Sequence, residues 1–328
     1  MRCLLPLLFA LSAVATAEPK VLLGGDMPGK SHQGPLPPAT AQHRQLAVRL
    51  RADVEHLAGT IGERNSRVYP KLLQSRNWVQ ACLQRAGYKV DSQHYTIMGR
   101  QYTNLECEKK GTSTETVLVG AHYDSALNCP AANDNASGVA AMLALARHFQ
   151  KQPKSAKTLR FVAFVNEEPP YFVKETMGSS VYARHCQKRG DKIRAMLSLE
   201  TMGYYSDAPN SQKVPPLLGS AFPNVGNFIA FVSNPQSGEL VKSCVGSFRK
   251  HAAFPSQGGA LPANVPGVGW SDHWSFWQIG VPAVMVTDTA PFRYPHYHMP
   301  EDTPDKLDYL KLARVVVGLQ GVVADLAR

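Results

Sequence analysis

Residues 157–169 read KTLRFVAFVNEEP: a mainly apolar run, Lys157 to Val165, that leads straight into Asn166, two adjacent glutamates and a proline. A short apolar run rich in aromatic and β-branched residues reads as a strand buried on both faces of a parallel sheet. Two carboxylates closing such a strand are costly to bury unless a metal or a reaction uses them. Successive side chains of an extended chain point in different directions. One carboxylate can therefore bind a metal while its neighbour faces a metal-bound water. The ordinary alternative is a solvated acidic turn, and the rest of the chain decides between them.

Outward from this run the same grammar repeats. Strands are expected at 116–121, 159–165, 195–199, 227–232 and 283–287. Helices are expected at 41–57, 71–86, 138–149, 177–187, 237–251 and 307–326. Residues 88–108 alternate apolar and polar positions, as an antiparallel hairpin at a sheet edge does. Strands alternating with helices predict a three-layer α/β/α sandwich around a mixed, mainly parallel sheet. One domain is expected over 41–328, preceded by an extended Pro- and Gly-rich arm at 18–40, with residues 204–225 forming a loop over the site entrance.

Polar residues gather at the ends of the expected strands. His122 and Asp124 follow the strand that ends at Ala121, and their spacing of two puts both on one side of an extended backbone. The histidine can ligate a metal while a nearby carboxylate orients its ring. Asn133-Asp134-Asn135-Ala136-Ser137-Gly138 leads into an apolar helix, where Asp134 or Ser137 is also a plain helix cap. Glu200 closes MLSLE, and Tyr294-Pro295-His296-Tyr297-His298 lies further on, followed by Glu301-Asp302-Thr303. Each motif alone reads equally well as a surface turn. Together they place His, Asp, Glu-Glu, Glu and His at successive strand ends, where α/β proteins bind ligands. Mixed His and carboxylate ligands suit Zn²⁺, and one bridging carboxylate with two ligands on each side describes a two-metal site.

In this order the motifs resemble those of the co-catalytic di-zinc peptidases of the leucyl aminopeptidase and glutamate carboxypeptidase II type, from about Val54 to the C-terminus. The resemblance implies His122, Asp134, Glu168, Glu200 and His298 as metal ligands, with Asp134 bridging two Zn²⁺ ions per chain. It implies Glu167 as general base, Asp124 beside His122, and Tyr297 as a stabiliser of the oxyanion; His296 becomes the second choice to His298. Glu200 stands where the best-known aminopeptidases carry Asp, which weakens any transfer of their specificity. Trp270-Ser271-Asp272-His273-Trp274 resembles the family's Ser-Asp-His segment, so Trp270, Asp272 and Trp274 are expected near the substrate. With Phe292 and Tyr294 the tryptophans are candidates for the wall of an apolar side-chain pocket, core packing being the alternative.

The expected activity is zinc-dependent hydrolysis of short peptides by an exopeptidase. A glutaminyl-peptide cyclotransferase holding a single zinc is the rival from another reaction class, and a non-catalytic binding module is the third reading. The formal charge of +10 is scattered, with no nucleic-acid motif. Residues 1–17 read as a signal peptide: Arg2, an apolar stretch, then Ala15-Thr16-Ala17. That stretch falls short of the ~20 residues a spanning helix needs, so an exported chain, periplasmic or secreted, without a membrane span after cleavage, is expected. Five cysteines follow residue 17. Cys129 and Cys186, read as lying in loops near the site, are a candidate disulfide, with small-hydrophobe packing as the alternative.

Overall fold

The computed structural model describes residues 20–328; the expected signal peptide lies outside them. Eight strands form one sheet: β1 (Val90–Ile97), β2 (Arg100–Lys109), β3 (Glu115–His122), β4 (Thr158–Phe164), β5 (Lys192–Glu200), β6 (Ile229–Ser233), β7 (Ser256–Ala260) and β8 (Ala283–Thr287). Their order across the sheet is β1-β2-β4-β3-β5-β8-β6-β7. The central strands β4, β3, β5 and β8 are parallel, while β1, β2 and β6 each meet a neighbour antiparallel. The mixed, mainly parallel sheet matches the expectation.

Alternation along the central strands shows why both faces are covered. Leu159, Phe161 and Ala163 of β4 join one core cluster, whereas Val162 and Phe164 join another. In β3, Val117, Val119 and Ala121 face the first cluster and Leu118 the second. Each face needs its own helix layer. The larger core is roofed by α1 (Ala41–Val54), α2 (Tyr69–Arg85), α3 (Gly138–Gln150), α5 (Gly238–His251) and α8 (Tyr309–Leu326). The smaller is covered by α4 (Gly178–Arg189) and the short α6 (His273–Trp277). A further short helix, α7 (Ala290–Arg293), follows β8.

Local chemistry sets the ends of these helices. Thr40 caps α1 by accepting the His43 N–H at 3.2 Å, and Asp308 caps α8 through the Lys311 N–H at 2.9 Å. Gly190, with φ of 70°, ends α4 in the left-handed conformation that glycine adopts without strain.

Three features depart from the sequence expectation. Strand β7 reads SQGGA and lacks a strand signature, because it is shaped by close packing. A Cβ at Gly258 would sit 2.5 Å from Met27 Sδ and 2.7 Å from Val245 Cγ2. The N-terminal arm, over its described part, pairs Leu22 with Ala260 and seats Met27 in the core. Finally, Cys129 and Cys186 form no disulfide. All five cysteines of the described residues are free and buried. Cys186 lies inside α4 against the Arg160 guanidinium, whereas Cys129 donates to the Met299 carbonyl at the other end of the fold's strands.

Candidate metal centre

Parallel register brings the expected residues together. Gly120 pairs with Ser198 across β3 and β5, so His122 and Glu200 close their strands at the same level. His122 also pairs with Phe164, the last residue of β4, and Glu167 and Glu168 follow within one turn. Asn166 takes a φ of 59°, which turns the chain so that the two glutamates leave the strand in new directions.

Two sets of side chains converge there, His122 with Asp134 and Glu200, and Asp134 with Glu168 and His298; in each set the ligand atoms lie within 4.8 Å of one another. Asp134 belongs to both. Its Oδ1 stands 3.4 Å from His122 Nε2 and its Oδ2 stands 3.0 Å from His298 Nε2. Glu200 Oε2 is 3.2 Å from His122 Nε2 on one side, and Glu168 Oε2 is 3.3 Å from His298 Nε2 on the other. Neither ring nitrogen of His122, nor Glu168 Oε1, has a hydrogen-bond partner among the described residues, although all are buried.

Burying four carboxylates beside two imidazoles is unfavourable without a compensating cation. The titration behaviour says the same. Burial pushes Glu167 and Glu168 above the usual carboxylate range, with Glu168 and Asp134 respectively adding to it. Burial likewise raises Glu200 to about 8. Burial opposes protonation of His298, but Asp134 and Glu168 outweigh it and lift that histidine to about 11. Ligand type, orphaned nitrogens and excess negative charge all fit divalent metal ions bound by nitrogen and oxygen.

Supporting groups fix the arrangement. Asp124 accepts the Glu167 N–H with Oδ1 at 3.1 Å and the Glu168 N–H with Oδ2 at 3.2 Å, and its Oδ1 lies 3.5 Å from His122 Nδ1. One carboxylate thus holds the Glu-Glu turn by its backbone and stands beside the His122 ring. Ser271 donates to Glu200 Oε2 at 2.7 Å and is linked to Ser198 at 2.9 Å. Asp302 accepts the N–H groups of Asn133 and Asp134 at 2.8 and 3.1 Å, and the Tyr294 hydroxyl at 2.8 Å. Ser137 occupies the N-cap position of α3 without capping it through its side chain; Asn135 Oδ1 accepts the Gly138 N–H at 3.1 Å, leaving Asp134 free to face the histidines.

Arg64 is a residue that sequence reasoning missed. It is fully buried and donates to the carbonyls of Tyr123, Gly62, Pro130 and Ala131, stitching the segment between His122 and Asp134. A lone arginine in a helix–helix linker gives no such signal, because its partners are backbone carbonyls.

Beside Glu200 and Tyr297 opens an apolar cleft with a volume of about 100 Å³. Phe222, Phe228, Leu261, Met285, Trp270 and Phe292 line it. Among the candidate substrate residues, Trp270 lines the cleft and is 43% exposed, whereas Trp274 does not line it. Asp272 is wholly buried, away from the cleft, with both oxygens unpartnered among the described residues. Tyr294 serves Asp302 rather than the wall. Tyr297 lines the cleft with its ring stacked on His298 at 4.0 Å between centroids.

Comparison with known proteins places this geometry. The uncharacterized Escherichia coli protein YfbL is 35% identical over 292 residues, covering 86% of this chain and 88% of its own. A probable leucine aminopeptidase of Trichophyton verrucosum is 27% identical, covering 81% of this chain and 69% of its own. In fold, the chain is similar to BSAP, a zinc aminopeptidase from Bacillus subtilis, with a TM-score of 0.69, 16% identity and coverage of 86% of this chain and 95% of that one. It is also similar to the Fimbriiglobus ruber glutaminyl cyclase, with a TM-score of 0.64, 20% identity and coverage of 89% and 97%. The model of peptidase family M28 matches residues 104–320. The chain belongs to peptidase family M28 and is a zinc peptidase of aminopeptidase-like type.

Proposed function

We propose that this protein is a two-zinc aminopeptidase that removes amino-terminal residues with large apolar side chains from short peptides. The observation that carries the reading is Asp134, whose two oxygens serve two separate ligand sets. His122, Asp134 and Glu200 would hold one ion; Asp134, Glu168 and His298 would hold the other. When bound, zinc polarises the scissile carbonyl and acidifies water.

The chain's own groups do the rest. Glu167 lies 3.9 Å from His122 at the edge of the first set and belongs to neither. Its carboxylate takes the proton from the attacking water and returns it to the leaving amine. Burial raises its proton affinity, and the charges of Glu168, Glu200 and Asp272 add to this against the opposing effect of His122. Asp124 fixes the backbone of Glu167 so that the base cannot swing away. The Tyr297 hydroxyl is the donor for the oxyanion. The apolar cleft receives the side chain next to the scissile bond, and its apolar wall supports large aliphatic or aromatic residues.

A single-zinc cyclotransferase needs one set of ligands, and the presence of a second set, His122 with Asp134 and Glu200, supports the two-zinc reading. Export, read from residues 1–17, puts the enzyme in the periplasm or outside the cell. A peptide-library digest read by mass spectrometry, with zinc and with chelator, tests the function. Zinc-dependent trimming from the amino end supports it; carboxyl-end trimming or cyclisation of amino-terminal glutamine overturns it.

A further inference from the structure

The cleft wall is not held by apolar packing alone. Residues 204–226 connect β5 to β6 and supply Gln212, Leu218 and Phe222 to the cleft. The base of this loop is closed where the Ser206 N–H donates to the Gly226 carbonyl at 2.9 Å, and the Gln212 N–H donates to the Asn224 carbonyl at 3.0 Å. Behind it, on α7, lies Arg293, only 8% exposed. Its Nε donates to Gln212 Oε1 at 2.7 Å and its Nη1 to the Phe228 carbonyl at 2.8 Å. The guanidinium also lies over the Phe228 ring, 4.4 Å from its centroid. Thr289 adds a second donor to Gln212 Oε1 at 3.1 Å, and the Lys213 N–H donates to the Phe292 carbonyl at 2.8 Å.

No carboxylate among the described residues lies within 4.0 Å of this guanidinium. The buried carboxylate of Asp288 lies within electrostatic reach but makes no direct ion pair with it, so the arginine's hydrogen-bond partners decide its role. Its two hydrogen-bond acceptors, Gln212 and the Phe228 carbonyl, belong to residues of the cleft wall, while Nη2 has no partner among the described residues. The planar fork reaches two acceptors at fixed angles while its face stacks on an aromatic ring, which a lysine cannot reproduce.

We infer that Arg293 is a specificity-determining positioning residue: by tying Gln212 to Phe228 it fixes the loop wall of the apolar cleft, and so sets the preference for large apolar side chains. The inference rests on the aminopeptidase reading and on the cleft as the side-chain site. Arg293 touches neither the metal ligands nor the cleft interior, so its effect falls on fit rather than on chemistry.

The test compares leucyl and alanyl p-nitroanilides with the full chain in zinc-replete buffer. Wild type favours the leucyl substrate by about 10-fold or more in kcat/KM, the scale that a few methylenes contribute in an apolar pocket. Arg293→Met and Arg293→Lys bring that ratio close to unity, chiefly through KM for the leucyl substrate, with zinc content unchanged. Gln212→Leu does the same without touching the arginine, which covers the case where Arg293→Met does not fold. Gln212→Glu, which keeps an acceptor for Nε, restores the preference. An unchanged ratio in Arg293→Lys and Gln212→Leu overturns the inference while leaving the aminopeptidase intact. Absence of any leucyl preference in wild type overturns the side-chain reading instead.

Discussion

His298 Nε2 stands 3.0 Å from Asp134 Oδ2, on the opposite side of that carboxylate from His122. The separation is a direct product of topology. His122 ends β3, Asp134 precedes α3, and His298 comes from the loop after β8, where its φ of 58° turns it inward. Asp302 then holds the Asp134 backbone in place through its N–H. A carboxylate so placed offers one oxygen to each of two sites, and the following expectations depend on it.

Glu167→Gln keeps the shape of the side chain and removes its ability to accept a proton. Turnover is expected to fall by about 10²- to 10⁴-fold, the scale of a lost general base, while bound zinc is unchanged. Steady-state rates with metal analysis on the same preparation check this. Near wild-type turnover would remove Glu167 from the mechanism.

Ser271→Ala deletes the hydroxyl that orients Glu200 Oε2. Loss of such a supporting hydrogen bond costs roughly 10- to 100-fold in metal affinity. Competition with a chromophoric chelator should show one weakened zinc equivalent and one unaffected. Equal weakening of both would mean that Glu200 does not serve a single site.

Arg64→Met fills the same space but leaves the carbonyls of Tyr123, Gly62 and Pro130 without their donor, Ala131 keeping the Ala136 N–H. A cost of about 3 kcal/mol or more is expected for several buried acceptors stranded together. Denaturant unfolding of the metal-free protein measures it, and a change below about 1 kcal/mol would contradict the account.

His273 gives a pH dependence that is independent of metal. It is fully buried, bonded to the Val268 carbonyl at 2.8 Å and set edge-on to Trp277. Burial lowers its pKa from 6.5 to about 4. The folded state therefore binds this proton less readily than the unfolded chain, so the unfolded chain holds more protons between those values. The stability contributed is present above 6.5 and is lost as pH falls towards about 4. In chelator, the melting temperature of wild type should fall over this window more steeply than that of His273→Gln; parallel curves would refute the assignment.

Much of the fold was legible because buried parallel strands carry their own signature. KTLRFVAFV fills both faces of the sheet, and the carboxylates and histidines that interrupt the apolar pattern lie at strand ends. What escaped notice was defined by other segments. Strand β7 is glycine-rich because Met27 and Val245 press on it. Asp302 and Ser271 act on backbone or carboxylate groups far away in sequence, and no local spacing announces them. The cleft was only partly foreseen: Trp270 and Phe292 reach it, but Phe222, Phe228, Leu261 and Met285 come from four separate stretches of chain. Asp272, expected near substrate, is instead wholly buried outside the cleft lining, within electrostatic reach of Glu167.

The central claim is the shared carboxylate, and zinc stoichiometry tests it most directly. Elemental analysis of the zinc-saturated full chain should give two zinc ions per chain, and Asp134→Ala should retain neither at high affinity. One zinc per chain in wild type, or an Asp134→Ala variant that still holds one tightly, would contradict it.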